Sequence, residues 1–141
     1  MRLGKEIQRK LMSSKLQFLN KLKYNPDDVG ALEEMGDFAV ANGRTDLAIE
    51  AFTKALRIKP ICNKILLKRG KTYAKQRMLN YALSDFSLSI LHEPHSAEPH
   101  MLRGTLFGRI GNLDRAVLDF SQAIVLRPEL ADAYYNRGLV Y

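Results

Sequence analysis

The sequence predicts an all-α chain of antiparallel helix pairs, and three sets of evenly spaced residues carry that expectation. Pro26, Pro60, Pro94 and Pro128 stand 34 residues apart each time. Phe18, Phe52, Phe86 and Phe120 keep the same interval, and so do Gly36, Gly70, Gly104 and Gly138. Only Pro99 among the prolines falls outside the register, so composition alone does not produce the pattern. A period of this length is the mark of a helical repeat array, an architecture suited to binding more than to chemistry.

With each proline at the thirty-second place, complete repeats span 29–62, 63–96 and 97–130. Residues 1–28 form an N-terminal helical segment, and 131–141 form the first helix of a truncated fourth repeat. Phe18 and Pro26 sit in register, so residues 14–26 read as the second helix of a degenerate earlier repeat, with Ser14 in its small position. Leu3, Ile7 and Leu11, at four-residue steps, carry that helix further back as a cap. A targeting peptide is the competing reading, because Arg2, Lys5, Arg9, Lys10 and Lys15 make the segment basic and amphipathic. Glu6 and the in-register Phe18 and Pro26 argue against it. In the second half of the first repeat, Leu47, Ala48, Ala51, Phe52, Ala55, Leu56 and Ile58 draw one apolar stripe at helical spacing. Asn42-Gly43 and Gly111-Asn112 break the pattern in mid-repeat, where a turn must join two helices. At the far end, Tyr134, Tyr135, Leu139 and Val140 give the last helix an apolar surface with no polar helix after it. That is expected of a piece of a longer array, of a truncated product, or of a subunit that buries this end against a copy of itself.

Each repeated residue has a physical task. Gly36, Gly70 and Gly104, with Ala48, Ala82 and Ala116, are small enough to let the two helices of a repeat approach closely where they cross. Phe52, Phe86 and Phe120 supply bulk to the shared core, beside the small Ala55, Ser89 and Ala123. The prolines lack the N–H that would continue a helix and push the preceding residue out of helical geometry.

This small–aromatic–small–proline skeleton resembles the tetratricopeptide repeat (TPR), over roughly residues 14–141 on the register described above. The family's large residue near the start of each repeat matches Leu32, Leu66 and Tyr134, with His100 as a departure. Its aromatic seven residues later matches Tyr73, Phe107 and Tyr141, with Ala39 as a departure. The resemblance implies a right-handed superhelical solenoid whose first helices line a concave groove, and a role as a scaffold or adaptor for other proteins. The groove positions that it implies are Glu33, Glu34 and Asp37, then Lys64, Lys68, Lys71 and Lys75, then Met101, Leu102 and Arg109, then Tyr135, Asn136 and Leu139. The four lysines are spaced 4, 3 and 4 residues apart, which puts them on one helix face. An acidic rim, a basic middle and an apolar end would complement a partner segment with acidic residues beside a hydrophobic anchor. The alternative for the lysines is an ordinary solvated face.

Family members that clamp the C-terminal carboxylate of heat-shock chaperones carry Lys and Asn at set places of consecutive repeats. Here those places hold Glu33, Asp37, Lys68, Glu98 and Leu102 in one frame, and Leu67, Lys71, Leu102, Asp132 and Asn136 in the next. Neither frame keeps the set, so no chaperone-tail binding is expected.

Charge and composition bound the remaining classes. The net charge of +7 is uneven: residues 1–28 carry +4, 29–62 carry −1, 63–96 carry +4 and the rest is neutral. A nonspecific nucleic-acid binder would be basic throughout, and the aromatics here are committed to packing rather than interleaved with cations for base stacking. RNA binding is thus a lesser alternative, one that steep weakening with salt would reveal. No run of 18 uncharged apolar residues offers a membrane span. The single Cys62 cannot form an internal disulfide, which favours a reducing compartment, the cytoplasm first and cilium or nucleus as other settings. No catalytic residue, cofactor or metal is expected. His92, His95 and His100 match no standard zinc spacing, and Cys62 lies in a turn with no identifiable base. The acidic pairs Asp27-Asp28 and Glu33-Glu34 are expected at a helix start, satisfying unpaired N–H groups.

Overall fold

Each proline of the register stops a helix in the same way. The computed structural model describes residues 2–140, apart from the side chains of Leu11, Ser14, Ala131 and Val140. The expectations placed on Tyr141 and on those side chains lie outside the described residues. Helices α1 (Arg2–Tyr24), α3 (Thr45–Ile58), α5 (Leu79–His92) and α7 (Leu113–Leu126) each end two residues before a register proline. The residues preceding Pro60, Pro94 and Pro128 have left helical geometry: Lys59 has φ −127° and ψ 83°, Glu93 φ −130° and ψ 73°, Arg127 φ −141° and ψ 89°. Steric conflict with the proline ring enforces that exit. Their amides still close the last turn onto the carbonyls of Ala55, Ser89 and Ala123. Between these helices run α2 (Val29–Ala41), α4 (Asn63–Lys75) and α6 (Ala97–Ile110), α8 (Ala131–Val140) follows α7, and the described residues contain no strand. None of the described helices is long and apolar enough to cross a membrane.

Two helix starts carry a side-chain cap, whereas α3, α5 and α6 open without one. Asp28 accepts a hydrogen bond from the Ala31 amide at 2.9 Å and opens α2, and Asn112 accepts from the Arg115 amide to open α7. Glu33 and Glu34 do not share that task. They lie beyond the first turn of α2 and make ion pairs instead, Glu33 with Lys64 at 2.9 Å and Glu34 with Lys21 at 3.1 Å.

Two compact halves divide the chain, Met1–Ile65 and Leu66–Tyr141. In the first, α1 packs on α2 and α2 on α3. Phe18 is buried, its ring 5.6 Å from that of Phe38, and Ala31, Leu32, Ala48, Ala51, Phe52 and Ala55 fill the core. In the second, Ala82, Phe86 and Leu106 form one cluster, backed by Leu67, Tyr73 and Leu102. Ala97, Ala123, Ile124 and Ala133 form another, backed by Met101, Leu126 and Leu130. Burying each phenylalanine contributes about 2–3 kcal/mol.

The repeated glycine and phenylalanine are two sides of one contact. A Cβ on Gly70 would lie 2.5 Å from Phe86 Cε1, and one on Gly104 would lie 2.9 Å from Phe120 Cε1. On Gly36 it would overlap the Phe52 ring. The ring thus occupies the volume that any other side chain would need. Gly138 has open space around its Cβ position.

That contrast yields a measurable pair. Gly70→Ala is expected to destabilise by about 1–2 kcal/mol, because overpacking outweighs the helix propensity that alanine adds. Gly138→Ala is expected to be neutral or to stabilise by up to about 1 kcal/mol. Urea unfolding followed by helical circular dichroism separates them, and equal effects would refute the contact as the reason for glycine.

Candidate partner-binding groove

In the second half, α4 and α6 face a common groove. Lys71, Ala74 and Lys75 recur at three- and four-residue steps on α4, and Leu102, Thr105, Leu106 and Arg109 do so on α6. Helical periodicity brings each set to one face. Together with Phe86 of α5 they line a depression of about 260 Å³. Phe86 and Leu106 are buried and Leu102 is half-buried, forming an apolar floor, while Lys71, Lys75 and Arg109 stand exposed on the rim.

Ion pairing divides the cations into two groups. Lys71 Nζ lies 2.7 Å from Glu98 Oε1, and in the first half Lys64 is held by Glu33. Two of the four stripe lysines are therefore charge-compensated, and a third, Lys68, is half-buried and also engaged. Among the described residues, Lys75 and Arg109 have no carboxylate partner. Of the residues that the sequence nominated, Lys71, Lys75, Leu102 and Arg109 come together at this groove. Lys64, Lys68, Met101, Tyr135 and Asn136 do not line it. Met101 packs against the Ala97, Ala123 and Ala133 cluster. Tyr135 is exposed on α8 and Asn136 is half-buried.

Two ion pairs between half-buried arginines and buried aspartates hold the groove helices to their partners. Arg69 donates Nε and Nη2 to the two oxygens of Asp85 at 2.9 and 2.7 Å. Arg103 makes the same two-pronged bond to Asp119, at 2.8 Å from each nitrogen. Asp85 and Asp119 are buried. The hydrogen bonds to Asp85 raise the Arg69 pKa above its ordinary value, with burial acting in the opposite direction. The guanidinium of Arg69 also lies over the Tyr73 ring at 5.6 Å, and that ring stacks on Tyr81 at 5.2 Å. Arg103 and Arg115 flank the Phe107 ring at 5.9 and 5.5 Å. His100 is buried with Nδ1 3.3 Å from Asp119 Oδ1, so the departure from a large apolar residue is absorbed into the same network. His92 and His95 are exposed, and no group of three or more His, Cys, Asp or Glu among the described residues could hold a metal ion.

Sequence inspection missed the Arg–Asp pairs, although a signal was present. Arg69 and Arg103 are 34 residues apart, as are Asp85 and Asp119, and each acid follows its arginine by 16. In the first repeat the matching places hold Met35 and Ala51.

Antiparallel helix pairs at a fixed period, with a charged groove beside the first helices, define a helical repeat array. The chain belongs to the tetratricopeptide-repeat family: a model described as Tetratricopeptide repeat matches residues 8–60 and one described as TPR repeat matches 104–141. The fold is similar to that of MamA, at 20% identity and a TM-score of 0.88, over 98% of this chain and 81% of that one. It is also similar to YrrB, described as a TPR protein with an unusual peptide-binding site, at 23% identity, a TM-score of 0.80 and coverage of 99% and 70%. The second TPR domain of human RPAP3, solved in complex with the HSP70 peptide SGPTIEEVD, matches at 22% identity and a TM-score of 0.73, over 77% of this chain and 91% of that one. At these identities the likeness is one of fold. No curated protein sequence matches the chain significantly.

The Arg–Asp pairs generate a prediction with an internal control. Asp85→Ala leaves the half-buried Arg69 guanidinium without its acid and is expected to cost about 2–3 kcal/mol, less than for a fully buried pair because water reaches the arginine. Arg69→Met combined with Asp85→Ala reproduces the Met35 and Ala51 arrangement and should recover at least half of that loss. Urea midpoints read the difference, and strict additivity of the two single substitutions would overturn it.

Proposed function

We propose that the chain is a non-catalytic protein-interaction module, a scaffold or adaptor, that holds a segment of another protein in the groove between α4 and α6. The observation that carries this reading is the pairing of uncompensated Lys75 and Arg109 with an apolar floor of Phe86, Leu102 and Leu106. Cations left without acids favour an acidic group on the partner, and the floor takes its hydrophobic neighbour. Membership of the repeat family, and the engagement of His100 with Asp119 inside the core, support binding over chemistry.

A chaperone tail is a poor match to this surface. The places equivalent to the carboxylate clamp hold Glu33, Asp37, Lys68, Glu98 and Leu102. Glu33 and Glu98 carry the wrong sign and also occupy Lys64 and Lys71. A peptide ending Glu-Glu-Val-Asp is expected to show no micromolar binding in calorimetry. For the groove itself, affinity capture from a cell extract should lose specific partners when Lys75→Glu and Arg109→Glu are combined, with helical circular dichroism unchanged. Retention of the same partners by the double variant would sink the reading.

A second reading, self-association through α8, is favoured by its uncovered side chains. Tyr135 and Leu139 are each 68% exposed, and apolar surface of that kind gains from burial against a copy. Hydrodynamic mass should fall when both are changed to charged residues, and an unchanged mass would remove this reading.

A further inference from the structure

The turn between the helices of each repeat is built to one pattern, and one copy breaks its residue rule. Gly43 has φ 71° and Gly111 has φ 86°, the left-handed region that glycine enters without penalty. Arg77 stands at the equivalent place in the middle repeat with φ 60°. The hydrogen bonding is the same in all three turns. The amides of Gly43, Arg77 and Gly111 donate to the carbonyls of Val40, Ala74 and Gly108, and the next amides donate to those of Ala39, Tyr73 and Phe107. The backbone therefore has no need of arginine here, and a side chain in this conformation is strained. Strain retained at one copy of a repeated turn points to a task for the side chain.

That side chain lines a cavity of about 510 Å³ together with Lys75, Arg109, Ala74 and Leu79. No carboxylate lines it, and among the described residues none of the three cations has an acidic partner. Other cations of this half are engaged in different ways: Arg69, Lys71, Arg103 and Arg127 each hold an acid, and Arg115 and Arg137 lie over the Phe107 and Tyr134 rings. Three like charges gathered around one opening repel one another until an anion enters. The cavity shares Ala74, Lys75 and Arg109 with the apolar-floored groove, so an anion here would sit beside a hydrophobic residue bound there.

We propose that Lys75, Arg77 and Arg109 form a phosphate-binding site that takes a phosphorylated serine or threonine of the partner segment lying in the α4/α6 groove. This rests on the groove reading and adds the chemistry of the partner. A carboxylate offers one negative charge, whereas a phosphomonoester approaches two and presents three acceptor oxygens. Two guanidinium forks and an ammonium match that set. A nucleic-acid strand fits less well, because the cations form one cluster beside an apolar floor and not a track along a backbone.

The test uses the full chain and three pools of short peptides with randomised flanks, each with phosphoserine, glutamate or serine fixed at the centre. The phosphoserine pool is expected to be retained at least ten-fold above the other two. Arg77→Gly restores the residue found in the sister turns, so it should keep or raise the melting temperature while losing about ten-fold of the phosphoserine binding. Equal retention of the three pools, or undiminished phosphoserine binding by Arg77→Gly, overturns the proposal. So does tighter, Arg77-dependent binding of a single-stranded oligoribonucleotide. Leu102→Asp separates the two readings. Loss with Leu102→Asp but not with Arg77→Gly leaves the groove and removes the phosphate site, and the reverse outcome does the opposite.

Discussion

The contact between a missing side chain on one helix and an aromatic ring on the next is the constraint from which the rest follows. At Gly36, Gly70 and Gly104 the ring of Phe52, Phe86 or Phe120 fills the space where a Cβ would stand. Close approach of two helices is possible only where one of them presents no side chain, and interiors packed to crystal-like density leave no slack for an alternative. The alanines at 48, 82 and 116 are fully buried and lie one turn before each phenylalanine, so the second helix is narrow where it crosses the first. Once this crossing is set, the proline two residues past each second helix determines where the chain turns back.

Polar interactions then add what packing lacks, which is direction. The Arg69–Asp85 and Arg103–Asp119 pairs have planar two-pronged geometry, so they resist rotation of α4 against α5 and of α6 against α7. A pair of this kind adds little net stability over apolar residues of similar size, and the first repeat manages with Met35 and Ala51. Its value in the second and third repeats lies in orienting the faces that carry Lys71, Lys75, Leu102 and Arg109. Acids also sort the cations: Glu33 and Glu98 neutralise Lys64 and Lys71, which moves the uncompensated charge toward Lys75, Arg77 and Arg109.

Much of the architecture was legible before any coordinate. The turn at Asn42-Gly43 and the stop before each proline follow from backbone sterics that hold wherever those residues occur. The lysine stripe was legible as a helix face, yet its charge was not, because the acids that neutralise Lys64 and Lys71 come from other helices. Glu33-Glu34 shows the same limit from the acidic side: a pair read as capping a helix makes long-range ion pairs. Arg77 escaped notice because nothing in its local sequence demands a left-handed residue. Only its register with Gly43 and Gly111, combined with its φ of 60°, exposes it.

The sequence by itself determined the period, the helix pairs, the residues at the crossings and the family, because each rests on local sterics repeated at a fixed interval. Tertiary structure alone decided which charges are spent and which remain available. That outcome depends on distances of about 3 Å between side chains far apart in the chain, as for Lys71 and Glu98 at 2.7 Å. Ion pairing falls off steeply with separation and desolvation, so no reading of spacing along one helix could have sorted the four lysines.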